Sequence, residues 1–221
     1  FRSYYGEDLP INTWYMKRFA GLSEDGLSLW YYTDKETNEE KTTTTYSTGD
    51  FYLCGDPNPD LYGGFGTSIT FHGFDLSTQF SYLVGGLTYD YGYAGMMGNP
   101  TATSVGNRWH KDVLKAWSPE NPSSTIPRWH FNDLNTTGSS DRFLIDGSYL
   151  NLQNIQVGYT LPDSWTSHLK IKNLRLYFVC DNVYYWSKRK GLDPRRSISG
   201  VGTSGKIAPF RTYSGGISLQ F

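Results

Sequence analysis

Two stretches of strict alternation flank His72-Gly73. A two-residue connection sets Phe71 opposite Phe74, and the register then runs outward from the turn. One face reads Phe71/Phe74, Ile69/Leu76, Thr67/Thr78 and Phe65/Phe80. The other reads Thr70/Asp75, Ser68/Ser77 and Gly66/Gln79. One side is apolar or Thr and the other polar or Gly, which predicts a β-hairpin over Gly63–Phe71 and Phe74–Val84. A third strand is predicted over Tyr149–Leu161. Its apolar row is Ile155, Val157, Tyr159 and Leu161, but upstream the phase reverses to Leu150 and Leu152. Either a bulge or a change of surroundings accounts for such a reversal. Asn173–Trp186 alternates less cleanly, with Leu174, Leu176, Phe178 and Cys180 against Arg175, Tyr177 and Asp181, and with Val179 out of phase. At the chain end, Tyr213, Gly215, Ile217, Leu219 and Phe221 alternate with Thr212, Ser214, Gly216, Ser218 and Gln220. This last run is about one membrane-spanning strand long.

The connections between these strands run about 2, roughly 64, about 11 and about 25 residues. Short and long alternate, as in up-and-down outer-membrane barrels with short periplasmic turns and long extracellular loops. Residues 1–62 are less regular. Trp14–Phe19 and Leu27–Thr33 read as short strands around Gly21–Gly26, Lys35–Lys41 as a solvated loop, and Lys41–Leu53 as a further strand. Lys111–Trp117 reads as a short helix inside the long connection.

Composition sharpens this picture. The chain holds 18 Tyr, 12 Phe, 7 Trp and 24 Gly in 221 residues, an aromatic and Gly-rich balance that favours β structure. The formal net charge of -1 leaves no electrostatic footprint for nucleic acid. A mean hydropathy of -0.52, with no apolar run of helix-spanning length, excludes membrane helices but not membrane strands. Cys54 and Cys180 do not make a disulfide framework, and either two free thiols or one bridge is open. Phe1-Arg2-Ser3-Tyr4-Tyr5 has neither a start Met nor an apolar leader and reads as the interior of a longer chain.

Catalytic and metal motifs are weak. Residues 200–205 spell G-x-G-x-x-G, but Pro209 follows closely and no helix fits, so a loop is the better reading. Asp56-x-Asn58-x-Asp60 begins like a calcium loop, yet Leu61 and Thr67 stand where it needs Gly and Glu. His110 and His130 recur in the same Arg-Trp-His tripeptide and could share a metal only if the loop brings them together. No convergent acid–base pair is visible, so no enzyme is expected, and neither a cofactor nor a metal. The long connection carries Tyr89, Asp90, Tyr91, Trp109, Trp117, Arg128 and Trp129. Aromatic faces beside Asp and Arg suit capture of a glycan or peptide, and packing of the loop on itself is the competing role. Arg175 and Asp181 fall on the inner, polar row, where they either line a path or pair with a plug.

Several stretches, in order, resemble the SusC/RagA branch of the TonB-dependent transporters. Gly55-Asp56-Pro57-Asn58-Pro59 leading to Gly63-Gly64-Phe65, then Gly73-Phe74-Asp75-Leu76-Ser77, are similar to the family's turn and first hairpin. Trp117-Ser118-Pro119-Glu120-Asn121-Pro122 with Ile126-Pro127-Arg128 resembles its loop motif. Ser140-Asp141-Arg142-Phe143, Gly147-Ser148-Tyr149-Leu150, Asp181-Asn182-Val183 and Gly191-Leu192-Asp193-Pro194 continue the series. Asn151 departs from the family, which usually has Arg there. The terminal Phe221, with Leu219, Ile217 and Tyr213, resembles the C-terminal signature read by the barrel-assembly machinery. The resemblance implies an all-β, antiparallel transmembrane barrel of roughly 22 strands, of which residues 63–221 are the last five strands and 1–62 an extracellular loop with strands whose register the sequence does not fix. It also implies a plug domain outside this chain and an outer-membrane location with the C-terminus on the periplasmic side. The implied partners are a SusD-like surface lipoprotein, TonB, outer-membrane lipid, and an oligosaccharide or peptide substrate. Two alternatives stay open: a soluble β-sandwich that binds carbohydrate, and a siderophore or haem receptor.

Extraction of the full-length native protein separates barrel from sandwich. The barrel reading expects recovery only in detergent, as a heat-modifiable band much larger than 25.1 kDa. A soluble 25.1 kDa monomer in plain buffer is the outcome that sinks it.

Overall fold

The structure is a computed structural model and describes residues 2–100, 108–133, 138–166, 171–188, 193, 195 and 209–221. Residues 200–205, with their glycine motif, and residues 191, 192 and 194 lie outside the described residues. In chain order the strands are β1 (Arg2–Tyr4), β2 (Thr13–Lys17), β3 (Phe19–Leu22), β4 (Ser28–Thr33), β5 (Glu40–Thr43) and β6 (Phe51–Leu53). Then come β7 (Leu61–Phe71), β8 (Phe74–Val84), β9 (Leu87–Tyr89) and the short helix α1 (Tyr91–Met96). The series closes with β10 (Leu144–Asp146), β11 (Tyr149–Thr160), β12 (Asn173–Ser187) and β13 (Thr212–Gln220). They form two units. One comprises Pro59–Gly85, Gly147–Asp193 and Ile207–Phe221, the other Phe1–Asn58, Gly86–Asp146 and Pro194–Lys206.

The first unit is a single antiparallel sheet in the order β13-β12-β11-β8-β7. Its hairpin pairs Phe71 with Phe74 and Phe65 with Phe80, the register that the alternation predicts, and begins two residues earlier, at Leu61. His72 and Gly73 both take positive φ, 48° and 84°, as a two-residue turn matched to strand twist requires. The five strands align their outward residues in rows. Phe71, Phe74, Tyr159, Leu176 and Ile217 make one; Ile69, Leu76, Val157, Phe178 and Gly215 the next. These side chains are open: Ile69 is 57% exposed, Phe178 49% and Ile217 64%. The face is on the order of 700 Å² from strand spacing and rise. That exceeds the largest apolar patch of an ordinary soluble monomer, about 300–600 Å². The turn-proximal row carries Phe71, Phe74 and Tyr159, and the far end Tyr82, Tyr184 and Trp186. From Phe74 to Tyr82 is roughly 26 Å along the strand. A tilt near 40° makes that about 20 Å across the membrane, within the apolar band, about 25 Å tall and edged by aromatic girdles, of an outer-membrane barrel.

The phase reversal of the third strand is a bulge. The β11 register shifts between Leu152 and Asn154 against both neighbours. Against β8, Gln153 is the extra residue; against β12, it faces both Asn182 and Val183. Asn182 adopts φ 52°, a conformation that Asn tolerates better than most residues. Below the bulge Ile155, Val157 and Tyr159 point outward, and above it Leu152 and Leu150 do. Val179, out of phase in the sequence, sits on the inner row between Gln156 and Ser214.

The second unit holds three small sheets, β1-β2-β6, β3-β4-β5 and β9-β10. Its core is Trp14, Met16, Tyr89, Met97 and Phe143, with Cys54, Leu87 and Ile126 packed on it. The stretch Lys41–Leu53 is two strands rather than one, and a buried lysine explains the break. Lys17 Nζ donates to the carbonyls of Tyr46, Ser47 (3.2 Å) and Gly49 (2.7 Å). It also lies 4.6 Å from the Tyr46 ring centre. These bonds turn residues 46–49 inward around the ammonium, so no strand runs through them. Burial lowers the Lys17 pKa and nearby Asp50 opposes that. Lys111–Lys115 is a 3-10 helix, and both cysteines are free thiols.

Burial pushes the Tyr89 phenol from its ordinary 10.0 up to about 12. A raised folded-state pKa means that its contribution is fully present below the unfolded value and is lost as pH rises through the folded one. The stability of the second unit in thermal melts is therefore expected to fall between pH about 10 and about 12, by up to roughly 3 kcal/mol. The Tyr89→Phe variant should show a flatter alkaline limb in the same melts.

Candidate functional site

Most side chains on the inner row of the five-stranded sheet are polar, and several bond to one another across strands. Arg175 of β12 reaches diagonally across β11 to Asp75 of β8: Nε lies 2.9 Å from Oδ1, and Nη2 lies 2.5 Å from Oδ2. Gly158 of β11 lies beneath this fork. A Cβ there would sit 2.6 Å from Nη2 and 2.7 Å from Nε, so only glycine leaves room for the guanidinium to lie across the strand. The paired fork geometry is the strong form of this contact. Asn154 donates to Asp181 Oδ1 at 2.7 Å, and Asn151, buried, donates to Ser81 Oγ at 3.4 Å. Arg175 and Asp181 therefore each bond across the wall. The sequence left them to line a path or meet a plug because diagonal partners are invisible without register.

The loop residues singled out in the sequence separate into three places within the second unit. Tyr89 is 2% exposed and packs edge-on to Tyr91 at 4.9 Å and Phe143 at 6.0 Å. Asp90 is buried and caps α1, accepting from Tyr93 N at 3.0 Å. For these two the capture role is corrected to a core and capping role, because burial leaves a ligand no surface to meet. Tyr91 stays half-buried against Tyr89.

Trp117 and Arg128 meet the tip of the β3–β4 hairpin. Arg128 N donates to Gly26 O at 2.9 Å, and the Trp117 ring lies where a Gly26 side chain would stand. Trp117 N in turn donates to Ile126 O at 2.8 Å. The Trp-x-Pro-x-Asn-Pro stretch is thus a brace, closed by the Ser118–Asn121 bridge. Trp109 and Trp129 form the third place. Their rings meet at 85° with centres 5.5 Å apart, and they remain 37% and 40% exposed. Both indole N–H groups donate to Gly98 O, at 3.1 and 3.4 Å. The Arg-Trp-His recurrence marks the two histidines in the sequence as a metal candidate, and the two tryptophans stand there as capture residues. His110 Nδ1 instead accepts from Asp112 N at 3.2 Å, while His130 Nδ1 faces Phe131 O at 3.0 Å.

Sequence reasoning missed Arg142. It is sandwiched between Phe19 and Phe143, with ring centres 5.2 and 5.3 Å from its guanidinium carbon. Burial pulls its pKa down to about 10. Neighbouring Asp141 accepts from Phe19 N at 2.8 Å, and burial raises its carboxyl. The Ser-Asp-Arg-Phe stretch is therefore a packing element as well. At the C-terminus Tyr213, Ile217 and Leu219 lie exposed on the outward face, and Phe221 is exposed just past the end of β13.

No family model matches the chain. Curated relatives do. TonB-dependent receptor P3 of Formosa agariphila is 29% identical, over 99% of this chain and 21% of its own length. TonB-dependent receptor SusC of Bacteroides thetaiotaomicron is 27% identical, over 80% of this chain and 17% of its own. Among solved structures, a chain of the RagAB peptide transporter superposes with a TM-score of 0.75 and 26% identity, over 95% of this chain and 23% of that one. The RagAB peptide importer in its closed-closed state gives 0.76 and 27%. The chain spans about a fifth of the length of the curated relatives that it matches. In sequence and fold it is SusC/RagA-like, and its antiparallel strands are those of a larger outer-membrane barrel. The sandwich gives way to that architecture.

Substituting Gly158 by Ala is expected to displace the Arg175–Asp75 fork and destabilise the barrel by about 1–3 kcal/mol. Gly215→Ala is the control, since its nearest neighbour would be 3.9 Å away. Heat-modifiability on gels of the full-length receptor checks both: only the Gly158 variant should unfold at a lower temperature.

Proposed function

We propose that this SusC/RagA-like chain is the C-terminal barrel wall of a TonB-dependent importer, carrying oligosaccharides or peptides across the bacterial outer membrane. The observation that carries the reading is the division of one sheet into an open apolar face and an internally bonded polar face. Hydrocarbon accepts the first and a water-filled lumen the second. The Asp75–Arg175 and Asn154–Asp181 bonds keep the lumen wall polar yet closed on itself. The wall does no covalent chemistry. Its part is to hold the barrel while other parts of the receptor gate substrate.

By the likeness to SusC and to RagAB, a SusD-like surface lipoprotein is the partner, and energy comes through TonB. On this reading the short connections at 72–73 and 161–172 belong at the periplasmic end and the long ones at 85–148 and 188–211 at the extracellular end, with the C-terminus on the periplasmic side. Tyr213, Ile217, Leu219 and Phe221 serve as the assembly signal on this reading. Of the loop residues that the sequence marks for capture, Trp109 and Trp129 keep the most surface with which to meet a substrate. A siderophore or haem receptor shares the barrel, and the SusC and RagAB likeness weighs against it.

Growth of a strain lacking the receptor tests the proposal. With a peptide digest or a set of oligosaccharides as sole carbon source, the deletion should abolish growth on one of them and leave growth on free amino acids and monosaccharides intact. Unchanged growth on both, with a defect only under iron limitation, would transfer the protein to the siderophore and haem class.

A further inference from the structure

Met96, Trp109, Trp129 and Phe131 are all open to solvent, at 36%, 37%, 40% and 54%, and all are tied to one turn, Gly98–Pro100. His110 N donates to Met96 O at 3.0 Å and Asn132 N to Pro100 O at 2.8 Å, which brings the two flanking segments to the turn. The indole pair donates to Gly98 O from both rings. Asn99 lies buried beneath, its Nδ2 donating to Asp133 O at 2.9 Å. Both indole N–H groups and the Asn99 amide nitrogen are thus engaged at this turn, and the open surface there is two indole rings, a phenyl ring and a thioether, flanked by exposed Arg108, His130 and Asn132.

Two magnitudes limit what such a corner can hold. Four partly open side chains of these sizes offer on the order of 300–400 Å², whereas a stable protein interface takes about 800 Å² from each partner. The corner is therefore too small to be a protein seam by itself and fits one or two side chains. A glycan, in turn, requires several free polar groups converging on its hydroxyls, and here both indole N–H groups are already engaged. We infer that the Trp109–Trp129 corner is a subsite for apolar or aromatic side chains of a peptide in transit. This rests on the import reading and narrows its substrate to peptides with hydrophobic residues. Perpendicular rings suit such a ligand because an incoming ring or methyl group stacks on one face while meeting the other's edge. Met96 adds a side chain that reshapes to fit different ligands.

The test uses the full-length receptor, purified in detergent with the partner that accompanies it. Two fluorescent peptides of equal length serve as probes, one rich in Leu and Phe and one in Gly and Ser, with maltohexaose as competitor. Wild type should prefer the Leu/Phe peptide. Trp109→Ala with Trp129→Ala should reduce that preference about tenfold, which corresponds to about 1.4 kcal/mol. Trp109→Phe with Trp129→Phe should keep most of it, because phenyl rings retain the stacking faces. Equal loss for both peptides, no loss, or displacement by maltohexaose overturns the assignment. Loss of the accompanying partner from the alanine variant overturns it as well, by making the corner part of a protein seam. Failure of the import reading shows separately, as unchanged growth of the deletion strain on every polymer.

Discussion

A strand facing hydrocarbon can leave no backbone N–H or C=O without a partner, and the rest of this sheet follows from that constraint. Antiparallel pairing satisfies the backbone, and the pleat then sends alternate side chains to opposite faces. The rows next to the turn show that division: Phe71, Phe74, Tyr159, Leu176 and Ile217 outward, Thr70, Asp75, Gly158, Tyr177 and Gly216 inward. Five strands do not close a barrel, since bacterial barrels of a single chain use at least 8. The outer edges of β7 and β13 therefore need further strands, and the larger barrel supplies them.

Where the period of two fails, the sheet changes its pairing rather than its faces. The bulge at Leu152–Asn154 lets β11 turn from odd to even outward positions while Leu150 and Leu152 still meet Tyr82, Phe80, Trp186 and Tyr184. One extra residue in β11 and another in β12 shift the strands without exposing Gln156 or Asn154 to lipid. The same economy governs the inner face. A charged pair faces the polar side, and the missing side chain of Gly158 gives the guanidinium its path to Asp75.

The second unit obeys a different rule. Its strands are three to six residues long, too short to be stable by pairing alone, so it is held by a few buried anchors. Trp14, Met16, Tyr89 and Phe143 form one centre, and the Lys17 ammonium among carbonyls another. Most of the ordered motifs that resemble the SusC/RagA family within this unit turn out to be bracing: Trp117 on the Gly26 turn, Arg142 between two phenyl rings. That explains why aromatic richness was a poor guide to ligand contact here, because core and capture draw on the same residues.

The hairpin register, the outward rows and the place of the phase reversal are legible in the chain alone. Each depends on a period of two that neighbouring residues enforce locally. The alternation of short and long connections likewise lay in the chain. That Arg175 meets Asp75 emerges from the folded sheet, because a diagonal contact across an intervening strand depends on the register of three strands at once. Folding also decides which aromatics are buried. Tyr89 and Trp109 belong to the same connection and look alike in sequence. One lies beneath Trp14 and Phe143 and the other keeps an open face, because segments far apart in the chain, residues 14 and 143 among them, close over the first and not the second.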